Sequence, residues 1–245
     1  IILTMESNMG GSGGFYAGIK RAMEQEADWI WVSDDDAYLK DDALKQASDY
    51  LEEQPDLDKI SAICGKVIKN GKMDINHGKY YYKKGIRICE ASIPAEMYEK
   101  KEFEMGSFTY VGTIMNKKKL LEAGLPNKDY FIYWDDLEHG IRMRKAGKII
   151  GVPGIVAYHD VGEEGSGINW KLYYSYRNMI DTYRKHFSGV CYDYFCLKIR
   201  VKIFLNHMTG HKKLEMNILE EAFKNARQQK FGLHPVYRPG WKPGE

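Results

Sequence analysis

The sequence predicts an α/β fold, and three observations carry that prediction. Apolar runs of strand length alternate with helical periodicity across residues 1–67, the pattern of strands joined by right-handed helical crossovers. The run "WIWVS" at 29–33 is apolar on both faces, as a strand buried inside a mostly parallel sheet must be. From Trp170 onward the patterning is mostly helical, which adds a helical extension to the α/β part.

Taken in order, residues 1–4, "IILT", read as a buried strand, and the glycine-rich stretch 8–14 as the turn after it. A helix follows, with Phe15, Ile19, Ala22 and Met23 on one face. The strand at 29–33 runs into Asp34, Asp35 and Asp36. Asp41 and Asp42 then cap a helix with Leu44, Ala47, Ser48 and Leu51 inward, ending before Pro55. Residues 60–67 are a further strand. The stretch 71–105 predicts a hairpin and a long loop over one sheet edge, and 108–115 return to strand. A short helix at 117–123 is stopped by Gly124 and Pro126. A short strand leads into a helix from about Asp135 to Gly147. Residues 148–152 and 155–159 read as two short strands, and 160–169 as a glycine-rich loop. Helices at 170–186 and two more to about Phe231 precede an irregular tail. The division predicted is 1–186 for the α/β domain and 187–245 for the helical extension.

Composition narrows the function classes. The 245 residues are 44% hydrophobic and carry 36 basic against 34 acidic side chains, an ordinary globular balance. A net charge of +2 lacks the basic excess of a nucleic-acid binder, so no nucleic-acid partner is expected. The four cysteines form no C-x-x-C pair, which predicts reduced thiols and a cytoplasmic protein. No apolar run approaches a membrane span. The sequence "CLKIRVKIFLNHMTGHKK" (196–213) mixes apolar and basic residues, which makes peripheral contact with the inner face of the cell membrane a candidate beside simple packing on the α/β domain.

Candidate chemistry concentrates in four places. Asn8, Gly11, Gly13 and Gly14 lie in "SNMGGSGG", which fits neither G-x-G-x-x-G nor a P-loop but would let backbone amides approach a ligand. Asp34 and Asp36 are alternate carboxylates at a strand end, suited to one hard cation, with Asp35 between them; a solvated turn is the competing reading. Asp135 and Asp136 begin a helix, where one suffices for capping and a second is a candidate general base. His159 closes "GIVAYHD"; two carboxylates plus one imidazole suit Mn²⁺ or Mg²⁺. Gly162, Gly165 and Gly167 would let the next loop close over a ligand. Glu138 and Arg142 read as a structural i,i+4 pair, and His139 as an ordinary surface histidine.

Together "SNMGGSGGFYAGI", "WVSDDDAY", "FIYWDDLEHGIR", "AYHD" and "YYSYRN" resemble the inverting family 2 glycosyltransferases of GT-A fold, nearest the galactofuranosyltransferases and rhamnosyltransferase-like bacterial enzymes. The resemblance spans roughly residues 1–180. It implies a nucleotide-diphospho-sugar donor bound beside Asn8, Gly11, Gly13, Gly14 and Asp35, a glycan or lipid-linked saccharide acceptor, and Mn²⁺ or Mg²⁺ held by Asp34, Asp36 and His159. It also implies Asp136 as catalytic base with Asp135 in support, and Arg177 and Asn178 of "YYSYRN" as donor-diphosphate or structural contacts. Trp134 and Trp170 are candidates to stack on acceptor sugars, with core packing as the competing role. The family begins with a nucleoside-binding βαβ unit that this sequence lacks, so 1–186 is read as a catalytic domain incomplete at its N-terminus. A sugar nucleotidyltransferase and a noncatalytic carbohydrate-binding module are the alternatives; the first wants a basic glycine loop, and no Lys or Arg precedes Lys20.

Overall fold

The computed structural model describes residues 1–160, 162 and 167–244, so Gly165 of the expected loop lies outside the described residues. Its centre is a parallel pair, β3 (Ile60–Lys69) and β9 (Lys148–His159), the longest ladder in the sheet. Both strands are almost wholly buried along their apolar runs. Among the described residues parallel pairing is confined to these two. Antiparallel partners are β8 (Thr113–Asn116) on β3, β1 (Trp29–Val32) on β8, β2 (Ala37–Leu39) and β7 (Phe103–Met105) on β9, and β4 (Lys72–Met73) on β3. The strand order is β1-β8-β3-β9-β2.

That order forces a curl. Val32 ends β1 at one edge and Ala37 begins β2 at the other. Five Cα steps reach about 17 Å, whereas four flat strand spacings need about 19 Å. The sheet bends, and the acidic run 33–36 passes from one edge to the other.

The helices are α1 (Gly10–Met23), α2 (Ala43–Glu52), α3 (Lys117–Ala123), α4 (Asp135–Ala146), α5 (Lys171–His186), α6 (Val190–Thr209) and α7 (Lys213–Arg227). Ile19 of α1, Leu120 of α3 and Met143 of α4 share a core with Ala62, Cys64, Met115 and Ile149 of the sheet. Ala43, Ala47 and Tyr50 of α2 pack with Ile63, Ile114 and Ile150. Ile180 of α5 is buried with α6 and α7, while Tyr173 and Tyr174 of α5 are buried with Phe131 and Ile218. A separate hairpin, β5 (Tyr80–Lys84) and β6 (Arg87–Ala91), fills the middle of the chain.

Several expectations are corrected. Residues 1–4 form no strand, and Ile1 and Ile2 are almost fully exposed: no neighbouring strand offers them a ladder. The run at 29–33 is an antiparallel edge strand rather than a central parallel one. Gly10 to Gly14 lie inside α1, not in a loop ahead of it. In α2 the inward face is one residue out of phase with the expected one, and Leu44 is exposed. The strand expected before Asp135 is a 3-10 turn, Lys128–Tyr130, followed by left-handed residues. The two strands at 148–159 are one, with a register break around Pro153, which has no N–H to donate to a ladder.

Candidate active site

The acidic run and His159 meet because β2 pairs with the end of β9, with Ala37 opposite His159 and the amide of Asp160 donating to the Asp36 carbonyl at 3.2 Å. His159 Nε2 lies 3.1 Å from Asp36 Oδ1 and 3.9 Å from Asp34 Oδ2. One ligand atom from each of Asp34, Asp36 and His159 lies within 4.8 Å of the others. Burial holds the Asp34 carboxyl above its ordinary range; His159 pulls it down, and Asp36 and Asp35 push it up again. Two carboxylates and one imidazole converging beside a desolvated charge are a donor set that fits Mn²⁺ or Mg²⁺.

The second acidic pair is placed by a strained turn. Phe131, Tyr133 and Trp134 all have positive φ (68°, 65° and 70°), a region that costs a non-glycine residue about 1–3 kcal/mol. Asn178 Nδ2 holds the turn, lying 3.0, 3.0 and 2.8 Å from the carbonyl oxygens of Tyr130, Ile132 and Tyr133. Gly10 completes it from the other side. Its φ is +67°, a Cβ there would collide with the Phe131 carbonyl, and the same carbonyl accepts the Ser12 amide at 3.1 Å. The helix start at Asp135 is therefore clamped between α1 and α5.

Asp135 is 6% exposed, and burial pushes its carboxyl up to about 6. Asp136 is held well above its ordinary value, by burial first and by Asp135 second, although its Oδ1 accepts the Leu137 amide at 2.6 Å. Both line one cavity of about 510 Å³ together with Asp34, Asp35, Asp36 and His159. Gly11 and Phe15 of α1 close one wall.

No family profile matches the chain. It is 24% identical over 159 residues to galactofuranosyltransferase GlfT1 of Mycobacterium tuberculosis, covering 64% of this chain and 51% of that protein, in each of two strains. It is 20% identical over 265 residues to galactofuranosyltransferase GlfT2 of Mycolicibacterium smegmatis, covering 91% of this chain and 40% of that one. The chain thus spans about half or less of the curated relatives it matches. Among solved structures, GalNAc-T7 with UDP, GalNAc and Mn²⁺ superposes with a TM-score of 0.56 at 12% identity, over 75% of this chain and 37% of that one. The fold is that of the GT-A glycosyltransferases. The sequence likeness to galactofuranosyltransferases is distant, and it points to the same fold.

Within this GT-A fold the other expected residues separate. Gly11 and Asp35 line the cavity, and Gly14 and Asp35 line a second, more apolar pocket between α1 and β1. Asn8 is a turn residue, accepting the Gly10 amide at 2.9 Å. Gly13 is buried, and a Cβ there would collide with that of Met9, which gives a packing reason for the glycine.

Arg177 takes the structural one of its two expected roles. It is 1% exposed, and its guanidinium donates to Tyr130 O and Gly232 O, both at 2.8 Å, and to Asn178 Oδ1 at 2.9 Å. Tyr173, Tyr174 and Phe231 surround it. It braces the turn from the interior and does not line the acidic cavity. Trp134 and Trp170 do not line the cavity either: Trp134 packs on Tyr81 and Tyr183, and Trp170 on Phe131 and Tyr174.

His139 is corrected. It is fully buried, with Nε2 3.1 Å from Gly124 O and Nδ1 2.8 Å from Tyr110 OH. Burial lowers its pKa to about 3, so it is neutral; Nε2–H donates to the carbonyl and the tyrosine donates to Nδ1. Glu138 and Arg142 form the expected pair at 3.0 Å, joined by His186.

Residues that sequence reading passed over are Lys69, Asp74, Thr109, Tyr110, Tyr133 and Lys171. Lys69 comes beside His159 only through the parallel register of β3 and β9, two residues past the end of the strand expected at 60–67. Neither Lys69 nor Lys171 carries a signal in the sequence itself.

Proposed function

We propose that this protein is a metal-dependent inverting glycosyltransferase. It would move a galactofuranose or rhamnose-like sugar from a nucleotide diphosphate to a glycan or lipid-linked saccharide in cell-surface polysaccharide synthesis, on the cytoplasmic side. The observation that carries this reading is the convergence of two acidic groups with different environments on one cavity. One, Asp34/Asp36/His159, has the donor set of a cation site; the other, Asp135/Asp136, is desolvated and proton-avid. The GT-A fold and the relatives' names support it.

Asp34, Asp36 and His159 would hold Mn²⁺ or Mg²⁺, whose positive charge stabilises the negative charge of a departing diphosphate. Lys69 and Lys171 add cations to the lining of the same cavity. Asp136 takes the proton of the acceptor hydroxyl as its oxygen bonds to the anomeric carbon. The bond from that carbon to the diphosphate oxygen breaks on the opposite face, which inverts the configuration. Burial raises the proton affinity of the Asp136 carboxylate and so strengthens it as a base once ionised. Asp135 beside it raises that affinity further and offers a second acceptor for substrate hydroxyls.

The test is a panel of uridine- and thymidine-diphosphate sugars with Mn²⁺ and saccharide acceptors, followed by release of nucleoside diphosphate and by NMR of the product anomer. Inverted product that requires Mn²⁺ or Mg²⁺ is the expected result. A retained anomer, or binding of every donor without transfer, would overturn the reading.

A further inference from the structure

Helix α6 is apolar on two opposite sides. Cys196, Ile199 and Ile203 bury one side against Ile180 of α5 and Met216, Leu219 and Phe223 of α7. On the other side Val190, Leu197, Val201, Phe204, Leu205 and Met208 are exposed, by 68, 56, 47, 63, 55 and 71%. At 100° per residue these six fall within an arc of about 100°, centred opposite the buried face. Among the described residues nothing covers these six large apolar side chains. They form a stripe along the helix, not a scatter.

The rim of the stripe is basic. Lys198 and Lys202 follow it on one side, and Arg200 and His207 on the other. Lys202 is 3.7 Å from Glu215 and His207 is 3.3 Å from Glu220, while Lys198 and Arg200 are in no ion pair among the described residues. Lys213, exposed at the start of α7, continues the charge past the end of α6. At the other end, Cys191 Sγ donates to Gly85 O at 3.6 Å and brings the tip of the β5–β6 hairpin to the first turn of α6. That tip is Lys83, Lys84, Gly85, Ile86 and Arg87, all exposed. Asp193 is the one acidic residue of α6.

We propose that α6 lies in the plane of an anionic bilayer surface, its exposed stripe at the acyl boundary and Lys198, Arg200 and the hairpin-tip cations at the lipid phosphates. An apolar face bordered by lysine and arginine is the chemistry that such a surface takes up. The segment lies on the membrane and does not cross it, because no helix among the described residues is long and apolar enough to span. A second copy of the chain fits less well. A two-fold pairing through the stripe would set two basic rims side by side. The inference does not rest on the sugar-transfer reading, because none of these residues belongs to the acidic cavity.

The experiment is co-sedimentation of the full chain with phosphatidylcholine vesicles and with vesicles that also contain phosphatidylserine, at low and high salt. The protein should pellet with the anionic vesicles at low salt and be released by high salt. The exposed double variant Phe204→Glu/Leu205→Glu should lose at least about tenfold in bound fraction with an unchanged circular dichroism spectrum. Lys83→Glu/Lys84→Glu should weaken binding to anionic vesicles alone. Failure to pellet at low salt, equal pelleting with both vesicle types, or full binding by the double variant would each overturn the proposal. So would sedimentation velocity showing a dimer that Phe204→Glu/Leu205→Glu splits, which would assign the stripe to a second copy.

Discussion

His159 Nε2 stands 3.1 Å from Asp36 Oδ1 although 123 positions separate the two residues. The contact is made by sheet register: a slip of one residue between β2 and β9 would turn His159 to the opposite face. If the pair and Asp34 hold a cation, Mn²⁺ binding followed by calorimetry with a nucleoside diphosphate present should be largely lost in Asp36→Ala and weakened in His159→Ala. Asp35→Ala should bind nearly as well as the parent. Undiminished affinity in Asp36→Ala would remove the site.

Asp136→Asn should leave nucleotide-sugar binding close to the parent value while turnover falls by on the order of 10² or more. Asp135→Asn should be less impaired. The reverse order in steady-state kinetics would assign the base to Asp135.

The burial of Asp135 also has a stability consequence. Its folded-state pKa of about 6 lies above the ordinary value of 3.8, so between those values the native state holds a proton that the unfolded chain has lost. Stability contributed by this group is present below about pH 4 and is lost as pH rises through about 6. Asp135→Asn should therefore raise the melting temperature at pH 7–8, with a gain of up to about 3 kcal/mol. The gain should vanish near pH 4. A variant equally stabilised at both pH values would show that the effect is not protonation.

Arg177→Lys should cost about 3 kcal/mol or more in urea unfolding, because one ammonium cannot reproduce the fork that reaches Tyr130 O, Gly232 O and Asn178 Oδ1. Should stability hold while only nucleotide affinity drops, Arg177 would be a donor contact after all.

The parts of the site legible in the sequence were those where chemistry and position coincide. Three aspartates after a β-branched and aromatic run, and a pair of them opening a helix, announce themselves by residue type. The helices at Lys117–Ala123 and Asp135–Ala146 were readable because Gly124 and Gly147 end them. What stayed hidden depends on tertiary contact. "IILT" has strand propensity but no partner strand, and propensity without a ladder does not make a strand. Arg177 and His139 looked polar and available, yet three carbonyls and a tyrosine satisfy them in the interior. The left-handed turn at Phe131, Tyr133 and Trp134 contains no glycine and so leaves no mark in the sequence. Asn178, 45 to 48 positions away, is what makes it possible.

The irregular tail after α7 is tied into the same turn. Gly232 donates its amide to Asp129 O at 2.7 Å and accepts from Arg177 through its carbonyl at 2.8 Å, while Tyr174 OH is shared with the His234 amide and the Tyr237 carbonyl. A stretch without secondary structure thus serves as a strap across the back of the acidic pair. For protein engineering this end of the molecule is not a free handle. Trimming at Arg227, or a protease nick near Gly232, would release the brace on the turn that aims Asp135 and Asp136, and would register as lost activity with the cavity itself untouched.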